Sequence, residues 1–267
     1  MSMPEVSALD PAVVDRFRRD GFVVTEGVFE PAELEVLAAP VDAEVAARAS
    51  HDKRGIEEKS LYEQSFVQCM RLWETSEGAK RLSFDPRLAS IASQLLGVDQ
   101  LILWQDQALY KEPGGRETTA HQDQVFWPID HTAPLISAWI PFDGSTIESG
   151  AMAYVPGSHL AGPLRAVDIT HRTEPYRVVD DPALHGSEPQ WIEAPVGSVV
   201  WHHGLTVHQA SSNSTDAVRR VFTVVYLAAG SKRTRPWKLM PLDRDNIGVG
   251  DVIAGAGLPP VWPTPSP

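Results

Sequence analysis

The chain reads as a mainly β protein with packed helices, its core a double-sheet jelly roll. Three observations predict this. Between residues 101 and 227, apolar, β-branched runs recur and are separated by Gly, Pro, Asp and Ser clusters. Many short strands with such punctuation fit a double-sheet jelly roll. Helical signatures are concentrated before residue 98, where they would cover one face of a β core. No Pro/Gly/Ser linker or repeat divides the 267 residues, and 43% apolar residues suffice for one substantial core. The expectation is one domain over 1–267: a helical scaffold over 10–97, a β core over 100–229, a lid-like insertion over 160–190 and an irregular tail over 230–267.

Residues 10–20 have the marks of a helix. Asp10 is an N-cap, Pro11 suits the first turn, Val13, Val14 and Phe17 form one apolar face, and Gly21 stops it. Phe22-Val23-Val24 is a short strand. A second helical pattern starts at Pro31 and runs to about Arg48. Its buried positions are Leu34, Val36, Leu37, Val41 and Val45, and Pro40 should kink or split it. Residues 50–60 are polar and read as a mobile loop. Pro86–Leu96 is a further amphipathic helix, capped by Asp85 and ended by Gly97. Leu101–Lys111 is the first long strand, followed by a Pro113-Gly114-Gly115 turn. Leu135–Pro141, Ala151–Val155, Ser198–His202, Leu205–Gln209 and Arg219–Leu227 are further strands. Residues 160–190 show little periodicity, as in an active-site lid or insertion. The Pro/Gly-rich tail should be irregular, with Trp237 or Trp262 pinning it to the body.

Charge and cysteine content narrow the function. Lys and Arg number 23 against 35 Asp and Glu, a net charge of −12 with no basic cluster. That is a poor match to nucleic acid or to an anionic membrane surface. The single cysteine, Cys69, excludes an internal disulfide and fits a reducing compartment. No leader pattern and no long apolar run are seen, so a soluble, cytoplasmic protein is expected.

The chemistry centres on Thr118–Asp130, TTAHQDQVFWPID. In a strand, His121 and Asp123 would point to the same face. An imidazole, a carboxylate and a distant histidine make a facial triad with open positions, the arrangement of non-haem Fe(II) sites. His208 lies 85 positions after Asp123, at the end of an apolar run, and Arg219 follows eleven later. An iron oxygenase using a keto acid needs a cation for the far carboxylate, and arginine supplies a bidentate fork. Arg220 would face the other side of the strand. Alternation alone leaves the choice open, and the eleven-residue spacing favours Arg219.

These pieces, together with DGFVVTEGVF, QALYKEPGG, SAWIPFD and ESGAMAYVPGSH, resemble the phytanoyl-CoA dioxygenase-like family of Fe(II)- and 2-oxoglutarate-dependent oxygenases. The resemblance runs from about Phe17 to Leu227. It implies a double-stranded β-helix, with Fe(II) held by His121, Asp123 and His208, and with 2-oxoglutarate and O2 as co-substrates. It further implies that Trp139 packs against 2-oxoglutarate and that Gln107 lies beside its keto-acid end. Ser211 would stand in for a family serine at a position that is Ala210 here. Pro156–His159 matches a structural turn, and His203 matches a histidine that lines the pocket. Related halogenases lack the carboxylate ligand, so Asp123 favours hydroxylation, desaturation or ring closure. Phe126, Trp127, Trp73 and Tyr154 are candidate walls for a small, partly apolar substrate. The only basic run near a CoA-like ligand would be KRTR at 232–235, which favours a free small molecule, and natural-product tailoring fits the composition. Monomer and homodimer are both compatible. The competing readings are a zinc hydrolase or isomerase on a cupin barrel and a non-catalytic ligand-binding barrel. Nothing in the zinc reading requires an arginine at that spacing; loss of a ligand or of the arginine would mark the non-catalytic barrel, and neither is lost here.

Overall fold

A computed structural model of the chain describes residues 8–54, 56–171 and 175–263. Among them are eleven strands in two antiparallel sheets. The large sheet runs β1 (Phe22–Thr25), β8 (Val199–His203), β5 (Leu135–Pro141), β10 (Val221–Ala228), β3 (Leu101–Tyr110) and β11 (Pro260–Trp262), and β2 (Val67–Met70) also pairs with β3. The small sheet runs β4 (Thr118–His121), β9 (His208–Ala210), β6 (Met152–Tyr154) and β7 (Gln190–Ile192). Helices α1 (Pro11–Asp20), α2 (Pro31–Ala49), α3 (Glu77–Ser83) and α4 (Pro86–Leu96) precede β3 in the chain. This is the expected jelly roll with helices outside.

The caps anticipated from the sequence form. Asp10 accepts from Ala12 N–H and Asp85 from Arg87 N–H, each at 2.9 Å. Gly21 and Gly97 close their helices at φ 82° and 68°, a left-handed backbone that a Cβ disfavours. Helix α2 is not split at Pro40, whose ring lies where Gly78 leaves space; a Cβ there would come within 2.3 Å of Pro40 Cβ. Val36 is 65% exposed, and Ala38 takes its place in the buried stripe with Leu34, Leu37, Val41 and Val45. At 100° per residue, position 36 falls off that face.

Strand β10 lies between β5 and β3 and sorts its side chains by alternation. Phe222, Val224 and Tyr226 join Leu34, Val41, Leu88 and Leu95 in the core between large sheet and helices. Val221 and Thr223 face the small sheet. The helical layer is also tied to β3 by a buried carboxylate. Asp106 accepts from Leu72 N–H at 2.7 Å, Trp73 N–H at 3.0 Å and Ser83 Oγ–H at 2.5 Å.

The 160–190 segment packs on the outer face of the small sheet through Val167, Val178 and Leu184, against Ala120, Val155 and Val207. None of its described residues lines the cavity between the sheets; Val167, Asp168, Tyr176, Arg177, Val178 and Val179 line a groove that shares Thr118, Gln209 and Ala210 with it. The tail is anchored by Leu242, Ile247, Ile253 and Leu258 and by the pairing of β11 with β3. Trp262 packs on the main core as expected, whereas Trp237 is 45% exposed. No helix among the described residues is long and apolar enough to cross a membrane.

Replacing Asp106 by Ala strands three donors, two of them buried. We expect Asp106→Ala to lower stability by about 2–4 kcal/mol, read as a shift in the urea midpoint at unchanged slope.

Candidate metal centre and co-substrate pocket

His121 ends β4 and His208 begins β9. The two are paired in register, with ring centroids 4.4 Å apart. Asp123 reaches them by a different route from the one strand parity predicts. The chain has left β4, and Asp123 is helical, at φ −69° and ψ −49°, heading the single turn Gln124–Phe126. That turn folds the carboxylate back, with Oδ1 3.5 Å from His121 Nε2 and 3.6 Å from His208 Nε2. One ligand atom from each residue lies within 4.8 Å of the others, and no other metal-binding cluster occurs among the described residues. Gln122, between them, turns away and donates to Gly162 O and Leu205 O.

Backbone carbonyls set the tautomers. His121 Nδ1 lies 2.7 Å from Thr119 O and His208 Nδ1 2.9 Å from Thr206 O. A carbonyl only accepts, so each Nδ1 carries a hydrogen and each Nε2 is the ring nitrogen turned toward the carboxylate, a pattern seen at metal-ligating histidines. Burial pushes His208 down to about 3, so its ring is neutral at pH 7. Burial alone would raise Asp123, but the surrounding imidazoles hold it well below the usual carboxylate range. The cluster therefore presents two imidazole Nε2 atoms and one carboxylate oxygen.

A third imidazole steadies the carboxylate. His202 Nε2 lies 3.3 Å from Asp123 Oδ2, and Ser137 Oγ lies 3.5 Å from the same oxygen. Ser137 and His202 are register partners on β5 and β8. His203, the next residue, points out of the cavity. Its ring packs against His159, and its Nδ1 accepts from Leu205 N–H at 3.1 Å. The pocket histidine of this pair is thus His202. Two adjacent histidines face opposite sides of a strand, and only the pairing of β8 with β5 decides which is inside.

The cavity continues from the cluster across the large sheet. Gln107, Thr223 and Trp139 form one row over β3, β10 and β5, since Thr223 is the register partner of both others. All three line the cavity, with Leu109, Met152 and Arg219. Gln107 Oε1 is taken by Gln68 Nε2 at 2.7 Å. Arg219 is buried just before β10, its guanidinium 5.5 Å from the Trp139 ring centre. Nη1 donates to Gly150 O at 2.6 Å and Nη2 to Leu109 O at 3.2 Å, while Nε has no partner. The Thr223 hydroxyl is likewise buried and unpartnered. Burial pushes Arg219 down to about 9. Arg220 does face the other way, into Asp143, Asp42 and Glu35.

Several anticipated residues stand elsewhere. Ser211 Oγ donates to Ile147 O at 2.6 Å and borders a groove of about 570 Å³ that shares Thr118, Gln209 and Ala210 with the cavity; Ser211 itself is not in the cavity lining. Phe126 flanks His121, with ring centres 6.2 Å apart, outside the cavity lining. Trp127 packs on Trp104 under the tail. Trp73 lies in the helix-side core against Phe84. Tyr154 is core beneath the site, stacked on Phe22. Conversely, Tyr62 and Phe66, from the polar stretch before β2, form an aromatic wall of the cavity. Burial and the Asp123 charge push the Tyr62 phenol up to about 12, so it stays protonated. Their four-residue spacing in a polar segment was the available signal, but nothing local says what such a pair faces.

The geometry agrees with comparisons to known proteins. Residues 17–221 match the family model "Phytanoyl-CoA dioxygenase (PhyH)". The chain is 26% identical to phytanoyl-CoA dioxygenase domain-containing protein 1 of Danio rerio, over 79% of this chain and 87% of that one. Among solved structures it is similar to the α-ketoglutarate-dependent carbocyclase SnoK of nogalamycin biosynthesis, at TM-score 0.76 and 26% identity, covering 94% of this chain and 96% of that one. It is equally similar to the epimerase SnoN, solved with Fe3+, α-ketoglutarate and nogalamycin RO, at TM-score 0.76 and 27% identity, covering 94% and 100%. The chain belongs to the phytanoyl-CoA dioxygenase family and is an iron- and 2-oxoglutarate-dependent oxygenase.

Proposed function

We propose that His121, Asp123 and His208 hold the iron, that Arg219 holds the distal carboxylate of 2-oxoglutarate, and that the chain works as one oxygenase domain. Its reaction is hydroxylation of an unactivated carbon of a small, partly apolar molecule, in natural-product tailoring, with release of succinate and CO2. One observation carries this reading. A three-ligand cluster and a buried arginine with an unpartnered Nε share one cavity. The residues fit these groups: imidazoles and a carboxylate suit Fe(II), and the buried, unpartnered Arg219 Nε–H and Thr223 hydroxyl suit a carboxylate that accepts from both. A zinc hydrolase has no use for that second feature.

Bound iron supplies the oxidising chemistry that couples decarboxylation of 2-oxoglutarate to oxidation of a C–H bond. The chain's own residues hold and orient. Thr119 O and Thr206 O fix the imidazole tautomers, while His202 and Ser137 fix the Asp123 rotamer. Trp139 and the arginine orient the co-substrate. Tyr62, Phe66, Leu109 and Met152 keep water from the reacting centre. With Asp123 in the ligand set, halide has no position to take. Ring closure is a second reading, supported by the similarity to a carbocyclase.

Ala at position 121, 123 or 208 should weaken anaerobic Fe(II) binding by about 100-fold or more, since even outer-partner losses cost 10–100-fold. His203→Ala should leave it unchanged, and far-UV circular dichroism should show the fold intact in all four. Arg219→Ala should raise the 2-oxoglutarate Kd by roughly 30-fold to several thousand-fold, the effect of removing a buried charge partner. Arg220→Ala should do little. Titration of the visible charge-transfer band of the anaerobic Fe(II)–2-oxoglutarate protein reads both, and equal small effects would refute the clamp. In product mass spectra, hydroxylation adds one oxygen, ring closure removes two hydrogens, and no chlorinated species should appear with chloride present.

A further inference from the structure

Lys111 is buried without exposure, and none of the chemistry above uses it. It stands directly opposite Arg219. Lys111 N–H donates to Arg219 O at 3.0 Å, and Arg219 N–H donates to Lys111 O at 2.9 Å. Residues that exchange both hydrogen bonds in an antiparallel pair send their side chains from the same face. The lysine stem packs on two glycines. A Cβ on Gly115 would come within 2.7 Å of Lys111 Cγ, and one on Gly150 within 2.9 Å of Lys111 Cδ. Gly150 is also the residue whose carbonyl accepts from Arg219 Nη1. The two cationic side chains therefore share one glycine as a common wall. Among the described residues, the Lys111 amine makes one hydrogen bond, to Arg116 O at 2.5 Å. An ammonium has three hydrogens to place.

We propose that Lys111 is a positioning residue for the co-substrate: it takes a proton from water as a dicarboxylate enters the Arg219 pocket and returns it when the pocket empties. This rests on Arg219 being the carboxylate clamp. The physical reason is the cost of two buried cations without an anion. An arginine holds its proton more tightly than a lysine, so the lysine yields. Burial and the Arg219 charge push Lys111 down to about 7, against an opposing pull from Glu117. Gly115, Gly150 and Asn213, which also contact it, carry no charge. A bound carboxylate favours the charged form and raises the value again. Below the free value, the proton is already present, and affinity should be flat with pH. Above it, binding must recruit a proton, so affinity should fall as pH rises, by up to about tenfold per pH unit.

The test is anaerobic calorimetry of the Fe(II)-loaded protein with 2-oxoglutarate at about pH 8, in two buffers of different ionisation enthalpy. The expected result is uptake of most of one proton per ligand. 2-Oxobutyrate, which chelates the metal in the same way but lacks the distal carboxylate, should bind without that uptake. Lys111→Met keeps the stem and removes the amine; it should abolish the uptake and flatten the pH dependence of Kd between about pH 6.5 and 8.5. Lys111→Gln is the second variant should the first not fold. Absence of uptake in the native protein, equal uptake with 2-oxobutyrate, or an unchanged pH slope in the variant would each overturn the proposal. Arg219→Ala separates the two ideas: unaltered 2-oxoglutarate affinity there refutes the clamp, whereas a large loss there with an unchanged slope in Lys111→Met refutes only the lysine's role.

Discussion

Everything at this site depends on β10 being held between β5 and β3. With partners on both edges, the strand cannot slip without turning every side chain over. Its outward residues, Phe222, Val224 and Tyr226, are embedded in the helical layer. The same register sets Thr223 between Gln107 and Trp139 and holds Arg219 opposite Lys111. The cavity is thus aligned by the packing that stabilises the fold, and the helices, remote from the chemistry, act as its clamp.

Burial gives the groups in that cavity their character. Away from water, an imidazole loses its proton readily, whereas a carboxylate stays ionised only where donors surround it. His208 and Asp123 show the two outcomes side by side. The cationic end obeys the same rule. Arg219 is left with an unsatisfied Nε, and Lys111 beside it carries a weakened hold on its proton. Such a pocket is costly when empty and well matched to an anion.

The ordering of small and large sheets separates binding from support. The face of β4 and β9 that carries the histidines looks inward. Behind it, Val167, Val178 and Leu184 complete a small core with Ala120, Val155 and Val207.

Much was legible in the residues themselves. Capping residues and punctuated apolar runs located α1, α4, β3, β5 and β10 closely, because caps and strand periods are local physics. The order and spacing of His121, Asp123, His208 and Arg219 pointed to side chains that share one cavity in the fold, because a metal and a dicarboxylate demand particular donor types. Orientation was beyond local reasoning. Asp123 reaches its partners through a helical turn, where strand parity had placed it in an extended chain. His202 rather than His203 enters the cavity because β8 pairs with β5 in one register. Tyr62 and Phe66 meet the metal cluster from sixty residues away, while Trp73 and Trp127, equally aromatic, are absorbed by other cores. An aromatic ring gains about as much from any apolar surface it can reach. Which surface that is was decided only when the two sheets closed on each other.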